Sequence, residues 1–303
     1  MMLSILIPTC QHDAGQLVRD LGILAKREGI DYEIIVADDA SADGAAWLDA
    51  LADVPRVRTF RWPQNVGRAV GRNKLAQKAQ GDWLLMVDDD AGVGAEFSLA
   101  AYLKASAEAP VVCGGLLTPD PCPTPSVSLR YKYEHAAQPR RCTRQRVRRP
   151  YQHFSTFNFL ISKAVFEQVG GFDSSCKEYG HEDTLFGAML ERFGIPLLHI
   201  FNPLIHLGLD ENELFLEKTE TALRSLQRLE SRLGGYNRLL TLAASVRRAH
   251  LTQAVRWLHK RIGPSLRQNL LSDSPSLFLF QLYKLGYFLS LPESSSAKRE
   301  PQS

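Results

Sequence analysis

The stretch Trp83-Leu84-Leu85-Met86-Val87-Asp88-Asp89-Asp90 decides the fold: five apolar residues end abruptly in three consecutive carboxylates. A buried strand that ends this way delivers negative charge to the rim of a sheet. Open α/β sheets bind ligands at such carboxyl ends. Carboxylates this close repel one another unless a cation or a donor-rich ligand lies between them. An acidic turn would account for one such triplet. Two further clusters, Asp38-Asp39 at the end of another apolar run and His181-Glu182-Asp183, favour a binding site.

Strands and helices alternate on either side of this junction. Residues 3–8, 33–38, 57–62 and 83–88 read as short buried strands. Residues 15–27, 45–51 and 69–79 read as helices, the first with Leu17, Val18, Leu21 and Leu24 on one face. That rhythm predicts a mostly parallel sheet flanked by helices. It breaks after residues 111–115, where Pro119, Pro121, Pro123 and Pro125 exclude regular helix or central strand. A basic run follows, with eight Lys or Arg between Arg130 and Arg149 against the single Glu134. Residues 119–150 are therefore expected to form a mobile basic loop that closes over an anionic ligand or attracts another anionic partner. Order resumes with a strand over 157–161, a helix over 163–169, the turn Gly170-Gly171-Phe172-Asp173 and a helix opening near Glu182.

The remainder reads as helical, with a boundary near residue 210. A helix over 211–233 is expected to have Asp210 as its N-cap and Gly234 as its stop. A second amphipathic helix over 239–262 places Arg247, Arg248, Arg256, Lys260 and Arg261 on one face. Residues 292–303 read as a disordered tail. No apolar run reaches the roughly 18–20 residues of a spanning helix. Residues 277–291, the nearest candidate, are interrupted by Gln281, Lys284 and Ser290. Five cysteines without a CxxC pair argue for reduced thiols in a cytosolic setting. The first eight residues read as a strand rather than a signal peptide.

Neither GxGxxG after the first strand nor GxxxxGK[ST] occurs, so a dinucleotide site and a P-loop are disfavoured. Five segments in series carry a resemblance. They are Ser4-Ile5-Leu6-Ile7-Pro8-Thr9, residues 34–43 with Asp38-Asp39, Asn65-Val66-Gly67-Arg68 with Arg72-Asn73, Gly81-Asp82 leading into Asp88-Asp89-Asp90, and Gly170-Asp173 with Tyr179-Asp183. Together they resemble family 2 glycosyltransferases of the GT-A fold, over residues 3–210. The last segment is also similar to galactosyltransferase C-terminal motifs.

The resemblance implies a nucleoside-diphosphate sugar donor, most often UDP-linked, a glycan or other hydroxyl acceptor, and Mn²⁺ or Mg²⁺. It implies that Asp90 binds the metal, with His206 completing the site. Asp88 and Asp89 then contact ribose, donor sugar or metal-bound water. Pro8, Thr9, Asp39 and Asn65 fall where the family holds the nucleotide, and Arg68 and Arg72 face ribose or phosphate. A solvated helix face accounts equally well for the two arginines. Asp183 is expected as general base, with Glu182 positioning the acceptor, and inversion at the anomeric carbon follows from the family. Acidic residues in a first helical turn also stabilise the helix dipole, which is compatible with that role.

Two other classes compete. A sugar-nucleotide nucleotidyltransferase needs a Gly-rich basic loop after the first strand, where this chain has Thr9-Cys10-Gln11-His12. A non-catalytic basic protein would use Arg140–Arg149 and the second C-terminal helix on nucleic acid or an anionic membrane. Sparse aromatic residues weaken the nucleic-acid version. The expected setting is the cytoplasm, with peripheral contact at the inner face of a membrane.

Overall fold

The computed structural model describes residues 2–42, 46–51 and 53–292. Asp43, the first residue of the expected 45–51 helix and tail residues 293–303 lie outside the described residues. In chain order the first part runs β1 (Leu3–Thr9), α1 (Gly15–Arg27), β2 (Tyr32–Asp38), α2 (Ala46–Asp49), β3 (Val57–Arg61), α3 (Arg68–Lys78), β4 (Trp83–Val87), β5 (Ala91–Gly92), α4 (Leu99–Ala105), β6 (Val111–Cys113) and β7 (Leu116–Leu117). There follow α5 (Ser128–Arg141), α6 (Thr143–Arg146), β8 (Asn158–Ser162), α7 (Lys163–Gln168), α8 (Glu182–Arg192), β9 (Leu197–His199) and β10 (Leu204–His206). The last elements are α9 (Asn212–Arg228), α10 (Glu230–Leu233), α11 (Arg238–Arg248), α12 (Thr252–Leu270) and α13 (Leu277–Ser290). Chain contacts divide these into two compact units. The first comprises Met1–Pro121, Glu134–Lys177 and Glu182–Leu209, and the second comprises Cys122–Tyr133, Glu178–His181 and Asp210–Ser303.

The first unit is built on a seven-stranded sheet in the order β3-β2-β1-β4-β8-β6-β9. Only β8 runs against its neighbours, pairing antiparallel with both β4 and β6. Central parallel strands are covered on both faces, which is why their sequences are continuous apolar runs. Along β1, Leu3, Ile5 and Ile7 pack into one core layer with α1 residues Leu17, Val18 and Leu21. Leu6 points to the other layer, with Ala69 and Leu75 of α3. One buried polar pair interrupts the sheet: Ser4 donates to Glu33 at 2.7 Å, and Gln80 N–H and Arg58 also donate to Glu33. Gly81 passes so close that a Cβ there would lie 2.6 Å from the Met2 carbonyl.

Parallel register aligns the carboxyl ends. Thr9 lies opposite Asp38, and Asp38 opposite Arg61. Met86 lies level with Leu6, so β4 delivers Asp88–Asp90 to the same edge. A second sheet, β5-β10-β7, then pairs His206 with Ala91. Leu207 N–H donates to the Asp90 carbonyl at 2.9 Å, extending that ladder.

In the second unit Phe215 and Leu216 of α9, Leu266 and Leu270 of α12, and Phe280 and Tyr283 of α13 form one core with Leu129. Helices α12 and α13 pack on each other, with the His259 ring edge-on to Tyr283 at 5.4 Å.

Three sequence expectations are corrected. Residues 128–146 are not a loop but α5 and α6, even though Pro139 lies inside α5. The proline cluster ends at Pro125, a short 3-10 turn follows, and Leu129 and Glu134 bury themselves from the helix. The expected 239–262 helix is two helices, because His250 adopts a left-handed φ of 58° between α11 and α12. The apolar period resumes at Leu251, so periodicity alone does not register the break. Asp210 does not cap α9, whose N-cap is Glu211 with no side-chain hydrogen bond. Instead Asp210 accepts from Lys218 at 2.5 Å.

Candidate active site

Three strand ends and two helix starts of the first unit meet at the sheet edge. At the end of β1, Pro8 is partly exposed, and the Thr9 hydroxyl donates to the His12 carbonyl at 2.7 Å. At the end of β2 the two aspartates separate in role. Asp38 is fully buried and accepts from Ser41 N–H, the Ser41 hydroxyl and Arg61. Asp39 accepts from Val66 N–H at 2.7 Å and Gly67 N–H at 2.9 Å, so its carboxylate shapes the loop that enters α3. Asn65, exposed on that loop, donates to the Asp39 carbonyl at 3.1 Å. Asp39 and Asn65 thus stand near Thr9 at the rim, held by backbone that the Asp39 carboxylate itself organises.

The acidic triplet fans out. Asp88 accepts from Arg72 at 2.6 Å. Asp89 accepts from Cys10 N–H at 3.4 Å, and burial together with the charges of Asp90 and Asp88 pushes its carboxyl up to about 6. Asp90 faces His206, with 3.1 Å between Oδ2 and Nε2. Burial opposes ionisation of Asp90, but the His206 hydrogen bond and charge hold it below the usual carboxylate range. Gly208 is required at this point, since a Cβ there would lie 2.4 Å from Asp90 Oδ2.

His206 is tied from its other side by a residue that the sequence reading did not single out. Glu134 of α5 is buried and accepts from His206 Nδ1 at 2.9 Å. Burial alone would lower the imidazole, yet hydrogen bonds to Asp90 and Glu134 raise it to about 9. A carboxylate on Nδ1 fixes the tautomer whose Nε2 lone pair can meet a cation. The Asp90–His206–Glu134 arrangement therefore fits a divalent ion bound by Asp90 Oδ2 and Nε2 in place of the shared proton. Among the described residues no group of three or more His, Cys, Asp or Glu forms a complete metal cage.

Arg72 differs from expectation. Its side chain is 1% exposed, so it does not present a guanidinium to solvent-borne phosphate. It bridges Asp88 and Glu182, the latter at 3.4 Å, over the face of Phe172. Arg68, one turn earlier, is exposed at the start of α3, and its charge helps to keep both Asp90 and Glu182 ionised.

The acidic pair at the start of α8 is driven apart. Burial disfavours the Glu182 anion, but the charges of Arg72 and Arg68 overcome this and lower it. Asp183 goes the other way: burial and the Glu182 charge raise it to about 6, although Thr184 N–H donates to it at 2.6 Å. One carboxylate is thus firmly ionised and its neighbour is poised near neutrality, the pattern expected of a positioning group beside a base.

This architecture, a mostly parallel sheet with carboxylates at the end of its fourth strand, is of the GT-A type. Two solved structures share the fold. Mannosyltransferase PcManGT from Pyrobaculum calidifontis, in complex with GDP-Man and Mn²⁺, gives a TM-score of 0.54 at 14% identity, covering 95% of this chain and 84% of that one. TarS of S. aureus gives 0.53 at 16% identity, covering 96% of this chain and 55% of that one. Residues 4–170 match the family described as Glycosyl transferase family 2, and the chain belongs to that family. Among curated relatives, validoxylamine A glucosyltransferase of Streptomyces hygroscopicus subsp. limoneus is 30% identical over 224 residues, 65% of this chain and 49% of the relative. The succinoglycan biosynthesis protein ExoO of Rhizobium meliloti is 34% identical over 79 residues, 26% of this chain and 23% of the relative. The chain spans about half the length of the validoxylamine A glucosyltransferases it matches. The family match ends at residue 170, so the Gly170-Gly171-Phe172-Asp173 turn falls almost wholly outside it.

Proposed function

We propose that this chain transfers a sugar, with inversion, from a nucleoside-diphosphate sugar to a hydroxyl of a glycan or other acceptor, assisted by Mn²⁺ or Mg²⁺. UDP is the leading candidate nucleotide, and polysaccharide biosynthesis the leading setting. One observation carries the reading: the buried guanidinium of Arg72 joins Asp88, at the strand end, to Glu182, beside Asp183. Carboxylates suited to the donor and carboxylates suited to the acceptor therefore meet across one side chain.

In this reading Pro8, Thr9, Asp39 and Asn65 receive the nucleoside, while Asp88 and Asp89 meet ribose and donor sugar. Asp90 and His206 hold the cation, and Glu134 keeps His206 oriented. When bound, the cation supplies positive charge that neutralises the leaving diphosphate. Arg68, exposed above the same carboxylates, can pair with a phosphate oxygen. Glu182 orients the acceptor hydroxyl. Asp183 takes its proton as the oxygen attacks the anomeric carbon and the bonding electrons depart with the diphosphate. A carboxyl near 6 suits this task, being ionised at neutral pH yet more basic than an exposed aspartate. The acceptor-side assignment rests on this carboxylate pair rather than on likeness to galactosyltransferases.

The deciding experiment offers the protein a panel of nucleotide sugars with Mn²⁺ or Mg²⁺ and follows release of the nucleoside diphosphate. Turnover of one donor is expected. Asp90→Ala should abolish both turnover and the metal-dependent part of donor binding by calorimetry, with the thermal melt retained. Metal-dependent affinity that survives Asp90→Ala would sink the assignment. Pyrophosphate release from a nucleoside triphosphate would favour the nucleotidyltransferase instead.

A further inference from the structure

Charge in the second unit is segregated to a degree that the net value conceals. Residues 231–292 contain nine Lys or Arg and one acidic residue, Asp273, in a chain whose total is +3. Some of these cations have partners: Arg247 pairs with Glu230, and Arg267 with Glu213 at 3.1 Å. Arg238, Arg248, Lys260 and Arg261 are exposed.

Helix α12 sorts its residues by face. Gly263, Leu266 and Leu270 are buried, and His259 meets Tyr283 of α13. The opposite face carries Ala254, Trp257, Leu258, Arg261 and Ser265, all exposed at the spacing of one helical stripe. Trp257 is 61% exposed and Leu258 47%, with Leu251 at 53% one heptad before Leu258. The Arg261 guanidinium lies 5.4 Å from the Trp257 ring centre. Beside this stripe Arg256, His259, Lys260, Ser290, Leu291 and Pro292 line an open recess of about 620 Å³. Large apolar side chains in water, bordered by cations with no nearby acid on the helix, match an interface whose outer layer is anionic and whose inner layer is hydrocarbon.

We propose that the outward face of α12 docks on an anionic lipid bilayer. Trp257, Leu251 and Leu258 enter the headgroup boundary, Lys260 and Arg261 meet lipid phosphates, and the Arg256–Lys260 recess takes one phosphate headgroup. Among the described residues no helix is long and apolar enough to cross a membrane. Aliphatic Leu251 and Leu258 favour lipid over nucleic acid, which would call for stacking rings instead. The inference is independent of the sugar-transfer reading.

The test is flotation of the whole chain with vesicles of phosphatidylcholine alone and of phosphatidylcholine with about one-third phosphatidylglycerol. Binding is expected only to the anionic vesicles, with release at high salt. Lys260→Glu with Arg261→Glu should weaken it by at least about tenfold, since each cation near an anionic surface contributes severalfold. Trp257→Ala should weaken it while leaving the salt dependence in place. All three side chains are exposed, and a circular dichroism melt checks that each variant folds. If a variant fails to fold, salt release and lipid selectivity of the wild type still decide. Equal binding to both vesicles, binding to neither, indifference to the charge reversals, or stronger capture of single-stranded RNA than of anionic vesicles would each overturn the proposal.

Discussion

Glu134 is the one acid in a basic run, and it reaches His206. Its value as a signal lay in its isolation: an acid amid eight cations is either a surface ion pair or a buried partner, and the sequence alone does not choose. Glu134→Gln keeps the volume and removes the anionic acceptor. Metal affinity in the presence of UDP, measured by calorimetry, is expected to fall by roughly 10–100-fold, as for other carboxylates behind a ligating histidine. Unaltered affinity would reduce Glu134 to a packing role. Asp183 supports a pH prediction. Its carboxyl is raised to about 6, so it becomes protonated as pH falls through that value and the rate should drop roughly tenfold per unit below it. Asp183→Asn should lower turnover by at least ~100-fold and flatten that limb, with donor affinity little changed. A wild-type rate that holds level to pH 5 would assign the base elsewhere. The strand-end placement of Asp38 and of Asp88–Asp90 was legible, because an apolar run that ends in carboxylates announces itself. Arg72 was not, because burial of a cation depends on two carboxylates that lie 16 and 110 residues away.

Strands β1–β4 and helices α1–α3 were legible to within a residue or two, and α1 spans residues 15–27 as read, whereas α4 was not read at all. Their apolar runs and periods are set by burial on both faces, a condition local sequence records well. The small sheet was not legible. Strands β5, β7 and β10 have two or three residues each, too short for any period, and their pairing is entirely non-local. Yet this sheet sets the His206 position through the Ala91 register. Gly208, just beyond β10, tests the arrangement. Gly208→Ala would push its Cβ into the Asp90 carboxylate, so metal-dependent donor binding should be lost with the global melt little affected. An affinity equal to wild type would show that Asp90 can move aside without consequence. Helix α5 was misread for a related reason. The upstream cluster Pro119–Pro125 and the basic run after it warned against regular structure, whereas the buried positions Leu129 and Glu134, invisible as a period amid charges, supply the tertiary contacts that override propensity.

At the scale of the molecule, a family's order of motifs survives in a chain that shares only 14–16% identity with structures of the same fold. The ion pairs of Arg72 suggest what limits such divergence. Arg72 and Asp88 belong to the parallel half, and Glu182 to a segment that follows the family match. Taking away one member of a buried pair leaves an uncompensated charge, at a cost of roughly 3–5 kcal/mol. The segments before and after the end of the family match are consequently not free modules for recombination. A chimera spliced between α4 and β8 inherits a compatible guanidinium only if both parents place it alike. On the proposed reading, directed evolution of acceptor choice would meet epistasis at Arg72.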